Sequence, residues 1–305
     1  MGDGGAEPRP CDFYAATPAP TTTLPPPTPP TPAPPSAPKA KRWTVLGAVV
    51  ALIVVAAVIR VQAMHHGGAF SWGDASGSTT MRAFGGAPPA KETANPQRLL
   101  PAVTTTPSAG GYTFDATDNG RPVRWDPCRP IHYVVSGTEP FAGANQLLTQ
   151  TLDEAGAASG LQFADDGRTT EPAMANRASY QPDRYGQRWA PVLIAWTDEG
   201  AVPQLADNVI GLGGAAAASV HGTPRLVSGI VYFDAPELSL IALRPDGYAS
   251  MRTVMLHEVG HLLGLGHVQV PSEVMYPSNA GQGDYGPGDR AGLAIAGSAP
   301  CSRWG

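Results

Sequence analysis

The chain has 305 residues, a formal net charge of −5 and only 15% charged residues. No basic stripe appears outside the few cations that flank one apolar run, which argues against nucleic acid as a partner. The 33 prolines and 36 glycines are concentrated in some stretches, and such stretches cannot bury enough apolar surface to fold.

The first segment, residues 1–42, is a Pro-rich tail. Its stretch 17–38 consists mostly of Pro, Thr and Ala, which predicts a disordered, polyproline-like chain. Two roles stay open for this tail. It is either a spacer or a ligand for a partner that recognises polyproline segments.

The next segment, residues 43–61, has the opposite character. No charge interrupts residues 43–59, and a helix of that length spans roughly 26 Å, which is enough to cross a bilayer core. Three basic residues precede the run and Arg60 alone follows it, so the sequence predicts a transmembrane signal-anchor helix with a cytoplasmic N-terminus and an extracellular remainder. The alternative is a signal peptide cleaved near Ala63, which would give a secreted protein.

Beyond the apolar run, the sequence divides into a stalk and a domain. Residues 62–110 are rich in Gly, Ala, Ser, Thr and Pro without an apolar period, which is typical of a flexible linker. Residues 111–305 have the pattern of a folded domain. Cys128 and Cys301 are the only cysteines on this side of the apolar run, and in an exported domain they predict a disulfide.

The domain alternates strand and helix patterns, which predicts an α+β fold with a mixed sheet. Short β-branched runs indicate strands, and apolar residues with a helical period indicate helices. The predicted elements are a strand at 130–136, a helix at 138–160, a strand from Leu161, a strand at 191–197, a glycine-rich loop at 211–224, a strand at 225–235 and a helix from Ser250 to Gly264.

The last of these helices contains the stretch "HEVGHLLGLGH". His257 and His261 lie one turn apart on one helix face, so both imidazoles can bind one metal ion. Glu258 is rotated by one position, where a carboxylate can take a proton from water. Gly264 can adopt a left-handed conformation and end the helix sharply, and the returning chain then brings His267 to the same ion.

Three neutral imidazoles and a water make an open tetrahedral site, which is the pattern of catalytic zinc. Two competing interpretations stay open. In the first, the helix is simply buried and its histidines are satisfied by neighbours. In the second, the chain is a membrane-anchored binding protein with a vestigial or structural zinc site.

The same stretch, followed by Met275 in "SEVMYP", resembles the metzincin zinc peptidases, and "MYP" is most similar to their matrixin branch. A looser resemblance extends across residues 130–295. Together with the apolar run at residues 43–61, this resemblance predicts a bacterial-type, membrane-anchored enzyme. The implied fold is a metzincin-like twisted mixed β-sheet with an active-site helix, a backing helix and a C-terminal helix.

The resemblance also implies roles for single residues. His257, His261 and His267 would bind catalytic zinc, Glu258 would be the general base, and Met275 would form a turn beneath the histidines. On this basis we expect a zinc-dependent endopeptidase that hydrolyses extracellular or cell-envelope proteins. It would act as a monomer on protein or peptide substrates, which would pair with the strand at 229–235 as a sheet edge.

Other positions test how far the resemblance extends. Pro277 and Asn279 would line the pocket for the substrate side chain after the scissile bond, although relatives usually have tyrosine at the second position. Tyr232 stands where a histidine ligand of a second zinc is expected, so we predict no structural zinc. Asp198 and Asp234 are candidates for calcium, or are ordinary carboxylates at strand ends.

Overall fold

The computed structural model describes residues 95–105, 111–206, 209–220, 223–278 and 281–302. The predicted tail, the transmembrane helix and most of the predicted stalk lie outside these residues, so their predictions stay untested. In the described ranges, every helix is too short or too polar to cross a bilayer.

A five-stranded mixed sheet forms the centre of the domain. Its strands are β4 (Ile131–Ser136), β5 (Phe163–Arg168), β6 (Val192–Thr197), β7 (Gly211–Val220) and β8 (Thr223–Asp234). They lie in the order β5-β4-β6-β8-β7. The first four strands in this order run parallel to one another, and β7 pairs antiparallel with β8. This mixed sheet with helices confirms the predicted α+β, metzincin-like fold class.

The described helices lie around this sheet. They are α1 (Ala144–Ser159), α2 (Pro182–Tyr185), α3 (Ala235–Ile241), α4 (Gly247–Leu262) and α5 (Pro287–Ala296). α1 begins later than predicted, after Gly143 in a left-handed conformation, and the Glu139 carboxylate accepts from the N–H groups of Gly143 and Asn145. α1 ends at Gly160, as predicted.

The main apolar core lies between one face of the sheet and the helices α1 and α4. Ile194 of β6, Val231 of β8 and Leu256 of α4 are fully buried in it. The opposite sheet face has a smaller core around Leu193 and Tyr232. Because β6 is covered on both faces, it reads as a continuous apolar run, which is why its position could be predicted.

Two predictions about this part of the sheet, the loop at 211–224 and the substrate-binding edge at 229–235, were wrong. Residues 211–220 form a ten-residue strand and not a glycine-rich loop. Glycine and alanine favour strands weakly, but β7 pairs with β8 along its whole length, and that pairing overrides the local preference. Since β7 is the sheet edge and β8 lies inside the sheet, the strand at 229–235 cannot offer a free edge to a substrate.

Two small pairings lie outside the central sheet. β1 (Thr113–Phe114) pairs antiparallel with β9 (Leu265–Gly266), and β2 (Thr117–Asp118) pairs antiparallel with β3 (Arg121–Pro122). The β1–β9 pair joins the N-terminal part of the domain to the chain that follows α4.

Residues 95–105 are held against the domain. The N–H groups of Asn95 and Leu99 donate to the carbonyls of Cys128 and Pro127, at 3.1 and 3.0 Å. The Arg98 guanidinium donates to the carbonyls of Gly160 and Gly297, at 3.1 and 2.8 Å. One cation thus satisfies carbonyls at the C-terminal ends of both α1 and α5, where a positive charge is favourable.

Cys128 and Cys301 form the predicted disulfide, with Cα atoms 5.4 Å apart and a sequence separation of 173 residues. The neighbouring Asp126 carboxylate accepts from the N–H groups of Cys128 and Ser302, at 3.0 and 3.1 Å. The bridge and this carboxylate together fasten the C-terminal part of the domain to the start of β4.

Candidate metal centre

Helix α4 brings the first two histidines together. Its apolar side chains Met255, Leu256 and Val259 are fully buried, so the helix is fixed between the sheet and α1. The chain turns after the helix at Gly264, whose φ of 97° lies in the left-handed region that glycine adopts without steric cost. The returning strand β9 then leads directly to His267.

The three histidines that the sequence predicts meet at one point. Their Nε2 atoms lie 3.1 Å from one another in all three pairs. Among the described residues, they form the single group of three or more candidate ligands that could hold a metal ion. His267 is exposed, whereas His257 and His261 are partly buried, so the group opens to solvent on one side.

Hydrogen bonds at the other ring nitrogens set the tautomers. His257 Nδ1 lies 2.7 Å from the Val274 carbonyl, and His261 Nδ1 lies 2.8 Å from the Leu265 carbonyl. A carbonyl can only accept a hydrogen bond, so both Nδ1 atoms carry protons. In the neutral rings each Nε2 atom is therefore unprotonated and has a free lone pair. Lone pairs that converge without a shared proton repel each other, and a cation between them removes that repulsion.

The spacing of these nitrogens fits zinc. Zinc binds imidazole nitrogen at about 2.0–2.1 Å, so nitrogens at tetrahedral angles around it are roughly 3.3–3.4 Å apart. The separation of 3.1 Å in this structure is within a few tenths of an ångström of that value. Three imidazoles with one open side are also the donor set of catalytic rather than structural zinc.

Burial keeps two of the rings neutral. Burial, with the nearby His261 charge, lowers the pKa of His257 to about 3 and that of His267 to about 4. Burial also lowers the pKa of His261, but the hydrogen bond and charge of Asp115, the charge of Glu258 and the Leu265 carbonyl outweigh it, so this pKa is raised. The neutral form is the one that binds metal.

Glu258 lies in the closest contact between α4 and the edge strand β7. Its side chain is 8% exposed, and burial raises its pKa to about 7, although the His261 charge and the Gly213 N–H counteract this rise. β7 approaches this closely because it has glycine there. A Cβ on Gly213 would lie 2.1 Å from the Glu258 carbonyl oxygen, and one on Gly211 would lie 2.6 Å from Glu258 Cγ.

Met275 lies beneath the histidine-bearing helix, where the sequence places its turn. It is fully buried, and a Cβ on Gly260 would lie 2.4 Å from its Sδ. The Asp289 carboxylate accepts from the N–H groups of Val274 and Met275, while the Val274 carbonyl accepts from His257. The turn therefore supports a histidine as well as filling space.

The remaining predicted residues lie elsewhere or outside the described ranges. Pro277 is partly buried two residues after Met275, and Asn279 lies outside the described residues, so the substrate pocket stays a prediction. Tyr232 is buried in β8, and its hydroxyl donates to the Met174 carbonyl at 3.2 Å. Asp234 caps α3 by accepting from the Glu237 N–H.

One residue at the site, Asp115, could not be identified from the sequence. The Asp115 carboxylate lies 3.2 Å from His261 Nδ1. It precedes the histidine by 146 residues and follows a strand of two residues, so no periodicity or motif marks it.

Comparisons with known proteins support this description. Residues 136–286, just under half of the chain, match the family model of the matrixins, peptidase family M10. No curated protein sequence matches the chain significantly.

Two solved structures share weak similarity. One is the GM1-bound form of the ECX AB5 holotoxin, at 16% identity over 48% of this chain and 55% of that chain, with a TM-score of 0.26. The match therefore spans about half of the toxin chain. The other is archaemetzincin from Methanopyrus kandleri, at 14% identity over 57% of this chain and 89% of that chain, with a TM-score of 0.31. At these TM-scores neither match adds support for a fold or a function.

The matched region contains the three histidines, Glu258 and Met275. The histidines meet in a geometry that fits zinc, and the domain has a mixed sheet with helices. Residues 136–286 therefore form a matrixin-like domain of the zinc metallopeptidase type.

Proposed function

We propose that the chain is a zinc-dependent endopeptidase that hydrolyses peptide bonds in extracellular or cell-envelope proteins. One observation carries the proposal. The Nε2 atoms of the three histidines lie 3.1 Å from one another. Beside them is the buried Glu258, on the helix that carries His257 and His261, where that helix packs under the edge strand of the sheet.

His257, His261 and His267 would hold the ion. When bound, zinc supplies Lewis acidity, which polarises a carbonyl and lowers the pKa of water to about 7. The carbonyls of Val274 and Leu265 keep two of the imidazoles in the tautomer that presents Nε2. No rearrangement of these rings is then needed to bind the ion.

Glu258 has the properties of a general base. Because its pKa is about 7, the carboxylate can accept a proton from water and return it to a leaving amine near neutral pH. The Gly213 N–H hydrogen-bonds to this carboxylate and so fixes its position. A base held in this way needs no reorganisation before it takes the proton.

The edge strand β7 is the element that suits an extended substrate. Its inner edge pairs with β8 and its outer edge has no partner strand in the described sheet. A peptide can add to such an edge through backbone hydrogen bonds, which make few demands on its sequence. The glycines and alanines of residues 213–218 leave room for the substrate's own side chains.

The setting of the domain is part of the proposal. Residues 43–61 would anchor the chain in the cell membrane with the N-terminus in the cytoplasm. Of the predicted stalk, residues 62–110, the part that precedes Asn95 would form the link to the domain, since residues 95–105 are bound to the domain itself. The domain would work outside as a monomer. The disulfide between Cys128 and Cys301 supports an oxidising, extracytoplasmic environment.

The test uses the purified full chain and an unstructured protein, casein, as substrate. We expect bound zinc, cleavage of casein, and loss of cleavage on addition of phenanthroline. Glu258→Ala should retain zinc but lower turnover by at least about 10²- to 10⁴-fold. Glu199→Gln, which changes an exposed acid on a loop, is the matched control and should leave turnover unchanged.

Three outcomes would contradict the proposal. These are a chain that binds no zinc, cleavage that survives the chelator, and full activity in Glu258→Ala. Zinc binding without any cleavage would instead favour the alternative of a binding protein with a vestigial or structural zinc site.

A further inference from the structure

The segment of residues 113–115 is attached to the chain that carries two of the histidines. Thr113 pairs with Gly266 and Phe114 pairs with Leu265 in the β1–β9 ladder. The Thr113 hydroxyl donates to the His267 carbonyl at 3.0 Å. All of these contacts are made to residues 265–267, at the end of the stretch that leads from the second histidine to the third.

Asp115 extends this attachment to a histidine ring. Its N–H donates to the Gly264 carbonyl at 3.1 Å, and its Oδ2 lies 3.2 Å from His261 Nδ1. Glycine at position 266 makes the approach possible, because a Cβ there would lie 2.8 Å from Thr113 Oγ1 and 3.0 Å from Asp115 Oδ1.

The geometry points to Asp115 as a positioning residue of the metal centre, which acts on the ion through His261. The inference rests on the proposed function. It places residues 113–115 in the site although they lie outside the region that matches the matrixins. A carboxylate that accepts the second ring N–H of a metal-binding histidine fixes its tautomer and orientation and makes the ligand nitrogen more basic.

His257 and His261 differ in the partners of their Nδ1 atoms. His257 Nδ1 donates to a backbone carbonyl, whereas His261 Nδ1 lies within reach of both the Leu265 carbonyl and the Asp115 carboxylate. The carboxylate adds a negative charge close to the ring, and a cation bound at Nε2 would be stabilised by it. Loss of such a partner typically weakens metal binding about 10- to 100-fold.

The role of the side chain can be separated from that of the backbone. Asp115 holds the turn at Gly264 through its backbone N–H, which every substitution except proline retains. Its side chain is 38% exposed, against 12% for that of His261, so its removal leaves no cavity in the core. A purely structural residue would behave differently, because its loss would lower stability with or without metal.

The experiment measures zinc affinity by competition with a chromophoric chelator, in the full chain and in three variants. Asp115→Ala should weaken zinc binding about 10- to 100-fold. Asp115→Asn, which keeps an acceptor oxygen but loses the charge, should fall between Ala and the unaltered chain. Asp118→Ala changes an exposed acid three residues away and should bind zinc with unchanged affinity.

The melting temperature of the metal-free protein is measured in parallel, and we expect it to be equal in all four proteins within about 2 °C. Equal zinc affinity in Asp115→Ala and the unaltered chain would overturn the inference. The inference would also be overturned if metal-free Asp115→Ala were destabilised enough to account for its weaker zinc binding. An unaltered chain that binds zinc tightly but cleaves nothing would overturn the proposed function alone, and a chain that binds no zinc would overturn both.

Discussion

Substitution of Gly213 by alanine tests whether the edge strand β7 and helix α4 are in direct contact. The added Cβ would lie 2.1 Å from the Glu258 carbonyl oxygen and 2.7 Å from its carbon. Both atoms belong to the backbone of α4, so no side-chain rotation can relieve the overlap. β7 must move away from α4 by about 1 Å, because overpacked groups are accommodated through backbone shifts.

Two effects add to the cost of this movement. Overpacking a well-packed site destabilises by about 1–3 kcal/mol. Separation of the Gly213 N–H from the Glu258 carboxylate removes a hydrogen bond to a charged group, which contributes about 1.5–3 kcal/mol. For a domain of this size, 1 kcal/mol corresponds to roughly 2–4 °C in Tm. The two effects together cost about 2.5–6 kcal/mol, so we expect Tm to fall by about 5 to 24 °C.

Turnover should fall as well, since a catalytic group displaced by about 1 Å can lose about 10²-fold in rate. Thermal unfolding and casein cleavage measure the two effects on the same samples. Ser219→Ala, at an exposed position of the same strand, controls for a change in the strand that makes no contact with α4. If Gly213→Ala has the Tm and the turnover of the unaltered chain, β7 and Glu258 are not in contact and the assignment of the oriented base fails.

Two further predictions concern stability. Replacement of both Cys128 and Cys301 by serine opens a loop of 173 residues, which should lower the free energy of unfolding by up to about 5 kcal/mol; an unchanged urea midpoint under oxidising conditions would contradict this. Burial raises the pKa of Glu171, but the Arg177 hydrogen bond and charge, with further hydrogen bonds, outweigh it and leave the pKa below its ordinary 4.5. The stabilisation by this ion pair is therefore complete above about pH 4.5 and is lost as the pH falls through the lowered pKa of the folded state. Glu171→Gln should remove this contribution to acid unfolding and, because Arg177 is then buried without its partner, cost about 3–5 kcal/mol at neutral pH; a pH profile of Tm identical to that of the unaltered chain would show that the pair contributes nothing.

The histidine group could be located from the sequence because its geometry is local. A spacing of four residues puts His257 and His261 on one face of any α-helix, and Gly264 marks the end of that helix. The return of the chain to His267 could be predicted as well, because a glycine at the end of the helix permits a sharp turn. The disulfide was equally accessible, since two cysteines in one exported domain leave a single possible pair.

The edge strand could not be predicted because its formation depends on distant residues. Residues 211–219 have none of the β-branched and aromatic side chains that mark strands. They form β7 because β8 offers a partner over its full length, and because glycine at 211 and 213 fits against Glu258. The small residues that make this strand hard to recognise in the sequence are the same ones that let it lie close to α4.

Asp115 could not be identified for a different reason. It stands beside a strand of two residues, which is too short for any periodicity to appear. Its partner His261 is 146 residues away, so their contact depends on the whole path of the chain between them. A lone aspartate in such a segment has no property that distinguishes it from the other exposed acids of the sequence.

Arg98 and its neighbours have a mechanical consequence if the domain is tethered through the segment that precedes it. Tension along the tether would reach the domain first at residues 95–99, which are bound to the carbonyls of Pro127 and Cys128 and to the ends of two helices. The load would pass into the covalently bridged part of the domain. Strand β1, which follows in sequence and hydrogen-bonds to the His267 carbonyl, would then bear little of this tension.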